Sequence, residues 1–215
     1  DVLYDADKQA EVKKIMLSMG YTAESVGKTH HDVYMKPPVL NFELHTLLFG
    51  AASDFYAYYQ NPKRLMIPDE DSKFGFHFSD EDFYVYMLAH EYKHYSAGGT
   101  GLRSLLDCYV FLQHKGDTLD WAYIHEQTEQ LNIADFEREQ RELADKVFSS
   151  VTFPELAESE QKLLDYYLTS NTYGTITRTG ENMVRKMSFK RTVFIAANIK
   201  ILNCMENLKF TITME

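Results

Sequence analysis

The sequence predicts an α+β protein: a small mixed sheet with helices, followed by a mostly helical domain. Short alternating runs, "HHDVYMK" and "NFELH", lie in the first seventy residues beside one amphipathic segment. From Ser79 onward nearly every segment shows helical spacing between start and stop signals. Between these parts, residues 60 to 78, "QNPKRLMIPDEDSKFGFHF", gather Pro62, Pro68 and an acidic cluster, which is the composition of a boundary. The expected domains are residues 1–70, an α/β part incomplete at its start, and residues 79–215, a helical part.

Taken in order, "DVLY" reads as a short strand, and the segment after it as a helix whose apolar stripe is Val12, Ile15, Met16 and Met19, stopped by Gly20. A polar loop is expected next. "HHDVYMK" is then a strand ended by Pro37-Pro38, and "VLNFELHTLLF" a further strand that can run on into a helix. Ser79 with Asp82 has the form of a capping box and opens a helix through about Tyr95. Gly98, Gly99 and Gly101 break it, "LRSLLDCYVFLQH" is a second helix, and Gly116 closes that one. Three more helices follow, started near Asp117 or Thr118, at Asn132 and at Pro154, and the segment from Met187 reads as a last helix.

Composition narrows the function classes. The chain has 215 residues, 45% of them hydrophobic, enough to bury a core, and a formal charge of -10. That charge disfavours non-specific binding to nucleic acid or to an anionic membrane, so an anionic substrate would need metal ions or local Arg and Lys. No apolar run approaches membrane-spanning length and no signal peptide is visible. Cys108 and Cys204 form no C-x-x-C pair and read as reduced core thiols, so a cytoplasmic setting is expected. The chain begins at Asp1 inside a strand-like pattern, and residues upstream of it are expected.

"HEYKH", His90 to His94, is an H-E-x-x-H spelling, which on a helix supplies two zinc ligands one turn apart and a carboxylate as general base. Helical stepping sets Phe83, Met87, His90 and His94 on one face, expected to point inward or into a cleft. Lys93 lies between the ligands on the adjoining face, and "YSAGGTGLRS" after His94 lacks a third histidine at zincin spacing. His30-His31 adjoin a strand with no partner at ligand spacing and read as a loop pair. The ring-rich "FYAYY" has no interleaved basic residues and reads as packing rather than a base-stacking platform.

In "NFELH" strand alternation sets Asn41, Glu43 and His45 on one face, with Phe42 and Leu44 on the other. An ionised side chain on such a strand needs water or a cation. A hard divalent cation between carboxylates of neighbouring strands is the solution used in phosphoryl and nucleotidyl transfer. A solvated strand residue is the plainer reading of Glu43 alone.

The ordered set "DVLYD", a helix ending in "MGY", "HHDVYMK", "FELH", "SDEDFYVYMLAHEYKHY" and "GLRSLLDCYVFL" resembles the uncharacterised nucleotidyltransferase family of the DNA polymerase β-like superfamily, across residues 1 to about 150. The resemblance implies that Asp1 is the second acid of an Asp-x-Asp pair and Glu43 the third carboxylate, together holding Mg²⁺ on a nucleoside triphosphate. The Gly-Ser turn and the first Asp of the family pattern would precede Asp1, so this stretch taken alone departs from the pattern at its catalytic turn. The resemblance further implies that His90, His94, Arg103 and Asp107 contact the nucleotide or the acceptor across a cleft. Arg103 and Asp107, at i and i+4, equally suit a surface ion pair.

The expected activity is transfer of a nucleoside monophosphate from an NTP to an unknown small-molecule or protein acceptor with Mg²⁺. Two alternatives stay open: a zinc hydrolase using His90, His94 and Glu91, and a non-catalytic binding protein retaining the fold.

Overall fold

The alternating runs of the first third pair into a four-stranded sheet in the computed structural model, which describes residues 2–171 and 174–186. The chain divides into two units, Asp1–Ser79 and Asp80–Glu215. In the first, β1 (Val2–Leu3), β2 (Thr22–Ser25), β3 (His31–Lys36) and β4 (Leu40–His45) stand in the order β1-β4-β3-β2. β1 runs parallel to β4, whereas β2, β3 and β4 form an antiparallel meander. Pro37-Pro38 falls in the turn between β3 and β4, as the missing N–H groups require. The fold is α+β, with this mixed sheet first and helices after it.

Helix α1 (Gln9–Ser18) covers one face of the sheet. Met16 and half-buried Val12 pack there with Tyr21, Tyr34 and Leu44. Ile15 and Met19, expected on the same stripe, are exposed, because only one narrow face of a short helix reaches a sheet this small. Gly20 ends the helix at φ 84°, a left-handed value that suits glycine. The segment expected as a polar loop contains β2, whose exposed "TAES" face carried no apolar alternation to reveal it.

Asp32 anchors this unit. It is 1% exposed and accepts from the Tyr4 hydroxyl at 2.7 Å, the Gln9 amide at 3.2 Å and the Gly27 backbone N–H at 2.8 Å. It therefore ties the end of β1, the start of α1 and the β2–β3 loop to β3. After β4 the chain does not continue into a long helix. Bends lead to the short helix α2 (Tyr56–Tyr59), a 3-10 turn over Pro62–Leu65, and a hairpin of β5 (Met66–Pro68) with β6 (Phe76–Phe78). The Pro-rich and acidic segment read as a boundary is thus this hairpin, and the first unit closes just after it, at Ser79.

The second unit is built from α3 (Asp80–Tyr95), α4 (Leu102–Lys115), α5 (Trp121–Gln130), α6 (Ala134–Ser149), α7 (Glu158–Thr169) and α8 (Ile176–Lys186). Leu105, Leu143, Ala144, Leu164 and Tyr167 from α4, α6 and α7 form its main apolar core. Each such large side chain contributes roughly 1.5–3 kcal/mol on burial. Asp120 caps α5 by accepting from the Tyr123 N–H at 3.0 Å, after a 3-10 turn over Gly116–Thr118 where the helix was expected to begin. Helix α7 starts at Glu158 rather than at Pro154. Helix α8 was not expected; its Asn182 amide donates to the Tyr95 and Ala97 carbonyls at 2.9 and 2.8 Å and so holds it to the end of α3. The helix read from Met187 lies outside the described residues. Among the described residues no helix is long and apolar enough to cross a membrane.

The Asp32 anchor has a measurable weight. Asp32→Ala strands three donors and should destabilise the first unit by about 3 kcal/mol in chemical unfolding, against about 1.5 kcal/mol for Tyr4→Phe, which removes a single bond to a charged group. Equal effects of the two substitutions would show that the aspartate is not the hub.

Candidate functional site

The register of β3 against β4 decides which side chains meet. Asp32 lies opposite Leu44 and Tyr34 opposite Phe42, on the face that packs α1, while His31 lies opposite His45 and Val33 opposite Glu43 on the other face. The alternation expected for "NFELH" is therefore observed. Glu43 is half-buried, Asn41 is exposed, and His45 is 4% exposed at the strand end. Burial, then the neighbouring His31, holds the His45 imidazole below its ordinary range; a backbone hydrogen bond at Leu47 and the Glu43 carboxylate oppose this. Asp1 lies outside the described residues; Val2, which follows it, pairs with Leu44, the residue after Glu43.

The His30-His31 pair is more than a loop pair. One nitrogen from each of His30, His31 and His45 lies within 4.8 Å of the other two. His45 is fourteen positions beyond His31 in sequence, so ligand spacing along the chain gave no sign of it. The antiparallel ladder brings it opposite His31.

At the ends of β1 and β4 the first unit opens a cavity of about 680 Å³, lined by Leu3, Tyr4, Thr46, Leu47, Lys63 and Phe76 among others. Its size suits a small ligand. Phe74 and Phe76 are exposed apolar rings on its rim, and Lys63 pairs there with Asp5 at 2.6 Å.

The "HEYKH" helix presents its residues differently from the expected face. The inward side of α3 is Tyr84, Val85, Leu88, Ala89 and Glu91, whereas His90 is half-buried and His94 exposed, their rings 4.8 Å apart. Glu91 is 6% exposed and is held by the Tyr167 hydroxyl at 2.9 Å and by the Gln140 amide. Both Glu91 oxygens are engaged in the helical core, by Gln140 and Tyr167, so the carboxylate is not free to act as the base of a metal site, and this geometry does not support a zinc hydrolase. The one group of three or more metal-ligating side chains among the described residues is the His30, His31 and His45 cluster. Arg103 and Asp107 form an ion pair at 3.5 Å on α4, with 82% of the Arg103 side chain exposed. An exposed pair of this kind adds little stability and leaves the guanidinium accessible.

A small mixed sheet with a carboxylate on the face away from its packed helix is compatible with a nucleotidyltransferase-like protein. The chain belongs to the uncharacterised nucleotidyltransferase family, whose model matches residues 1–149, from β1 to the last residue of α6. No curated protein and no solved structure matches it.

Glu91 makes the second unit sensitive to pH. Burial raises its carboxyl to about 7, against the donors from Gln140 and Tyr167 and with a smaller contribution from the Asp107 charge. A folded value above the unfolded one means that the native state binds more protons between about pH 4.5 and about pH 7, so stability falls as pH rises through that window and levels off above it. The loss should be about 3 kcal/mol, because each pH unit between the unfolded and folded values is worth about 1.4 kcal/mol. Glu91→Gln should remove that part of the pH dependence in urea unfolding at pH 5 and pH 8; identical pH profiles for the two proteins would contradict the raised value.

Proposed function

We propose that the first unit binds a nucleoside triphosphate with Mg²⁺ on the sheet face turned away from α1 and transfers the nucleoside monophosphate to a hydroxyl or phosphate of a small-molecule or protein acceptor. The observation that carries this reading is Glu43, a half-buried carboxylate on the central strand β4 of a chain in a nucleotidyltransferase family. Its chemistry fits a hard cation, which takes carboxylate oxygens, and its half-burial leaves it accessible to one. Asp1 is assigned as the second carboxylate ligand on the strength of the family pattern.

When bound, Mg²⁺ would neutralise phosphate oxygens and lower the pKa of the attacking hydroxyl. The transfer forms a bond between the acceptor oxygen and the α-phosphorus, and breaks the bond from that phosphorus to the departing pyrophosphate. The chain's own contribution is positioning. We assign the cavity at the ends of β1 and β4 to the nucleoside: its Phe76 and Phe74 rings suit stacking on a base, and Lys8 and Lys63 at its wall suit phosphate oxygens. On the helical unit, Arg103 is assigned a phosphate contact, His90 and His94 contacts to phosphate or acceptor, and Asp107 a place at the nucleotide site as the partner that orients Arg103; the exposed guanidinium supports the first of these.

Incorporation of label from an α-labelled triphosphate tests the reading. Glu43→Gln keeps shape and removes charge, and should lower transfer at least about a hundredfold, the scale of losing one transition-state stabilising group. Asn41→Ala, exposed on the same strand face, should transfer at the wild-type rate. Full transfer by Glu43→Gln would overturn the assignment, and no transfer by the wild type with all four triphosphates would favour a binding protein that keeps the fold.

A further inference from the structure

The geometry points to a transition-metal site made by His30, His31 and His45, distinct in chemistry from the carboxylate site for Mg²⁺. Its three imidazoles converge from two neighbouring strands and the loop before one of them. His31 and His45 are directly opposite each other in the β3–β4 ladder, and their ring centroids are 5.2 Å apart. The His30 ring lies 4.7 Å from that of His31 and 5.8 Å from that of His45. The contact between His30 Nε2 and His31 Nδ1 is 3.4 Å. Two nitrogens bound to one tetrahedral zinc at about 2.0–2.1 Å stand about 3.4 Å apart, so this pair already spans one edge of such a site. One nitrogen from each of the three rings lies within 4.8 Å of the other two, so closing the set around one ion takes rotation of the rings about their side-chain torsions.

The cluster is held from behind. The His30 carbonyl accepts from Thr46 N–H at 2.9 Å, Leu47 N–H at 3.2 Å and the Thr46 hydroxyl at 3.1 Å, which clamps the loop against the end of β4. Gly50 makes room for the ring itself: a Cβ there would meet His30 Nδ1 at 3.3 Å. A single half-buried ligand pair would be commonplace, but a buried His45 with two half-buried partners places the site at the protein boundary, where an ion can enter and keep an open position. Three neutral nitrogen donors select borderline cations such as Zn²⁺, Co²⁺ or Ni²⁺ over Mg²⁺. Glu43 stands two residues before His45 on the same strand face and is not in the ligand set.

The test uses Zn²⁺ itself and Co²⁺ as a spectroscopic probe, on the full chain after removal of metal by a chelator. The wild type should take up one Zn²⁺ per chain with a dissociation constant below about a micromolar, as for built zinc sites, and Co²⁺ should give visible d–d bands that Zn²⁺ abolishes and excess Mg²⁺ leaves unchanged. Changes beyond the ligands of a metal site already weaken binding about 10–100-fold, so His30→Ala and His31→Gln should each weaken it at least about a hundredfold. Both positions are only half-buried, and far-UV circular dichroism reports their folding. The doubly substituted His90→Ala, His94→Ala protein should keep the bands and the stoichiometry. No zinc uptake by the wild type, uptake undiminished in the His30 and His31 variants, or uptake lost with His90 and His94 would each overturn the site. Because the readout is metal content and spectrum, it stands or falls independently of nucleotidyl transfer.

Discussion

The register between β3 and β4 is the constraint on which the first unit depends. A one-residue slip of β4 against β3 would turn Glu43 and His45 toward α1 and push Leu44 out of the core, and a slip of β3 would do the same to His31 against Asp32 and Tyr34, since side chains alternate with a period of two. The packed side enforces the choice. Asp32 finds its donors only when it faces Tyr4, Gln9 and Gly27, and burying it in any other register would leave an unpaired charge. The chemistry-bearing face is thus specified from behind, by groups that take no part in it. This is why a small sheet with modest apolar area can still hold Glu43 and three histidines in fixed relative positions.

The second unit solves a similar problem with buried polar pairs between helices. Tyr84 of α3 donates to Glu137 of α6 at 3.0 Å, and Arg141 on the next turn of α6 binds the same carboxylate at 2.6 Å. Two turns along α3, Glu91 meets Gln140 and Tyr167. These contacts fix the rotation of α3 about its axis, because removing one partner from such a pair leaves an uncompensated polar group in the core. The rotation they choose turns Glu91 inward and His94 outward. Within the H-E-x-x-H spelling, Glu91 is accordingly a packing residue of the helical unit.

Much of this was legible in the residues. Alternation in "NFELH" and "HHDVYMK" revealed the two central strands and the shared face of Glu43 and His45, and Gly20, Gly116 and the apolar spacing located most helices. What was not legible has physical causes. Helix α3 carries rings and aliphatic residues on both sides, so a stripe through Phe83, Met87, His90 and His94 looked as plausible as the observed one; only the partners on α6 and α7 decide between them. The edge strand β2 is polar, and helix α8 is seated by the amide of Asn182 rather than by an apolar stripe read from sequence. The histidine cluster needed the strand register, because His30 and His31 acquire His45 through pairing between strands and not through spacing along one.

The central claim is that the face of β3 and β4 turned away from α1 is the reaction surface of a nucleotidyltransferase. A crystal structure of the chain with Mg²⁺ and a triphosphate analogue that cannot be cleaved at the α-phosphorus tests it most directly. The ion and phosphate oxygens are expected at Glu43, with the base in the cavity lined by Leu3, Thr46 and Phe76. Nucleotide bound with Glu43 contacting neither ion nor phosphate would contradict the claim.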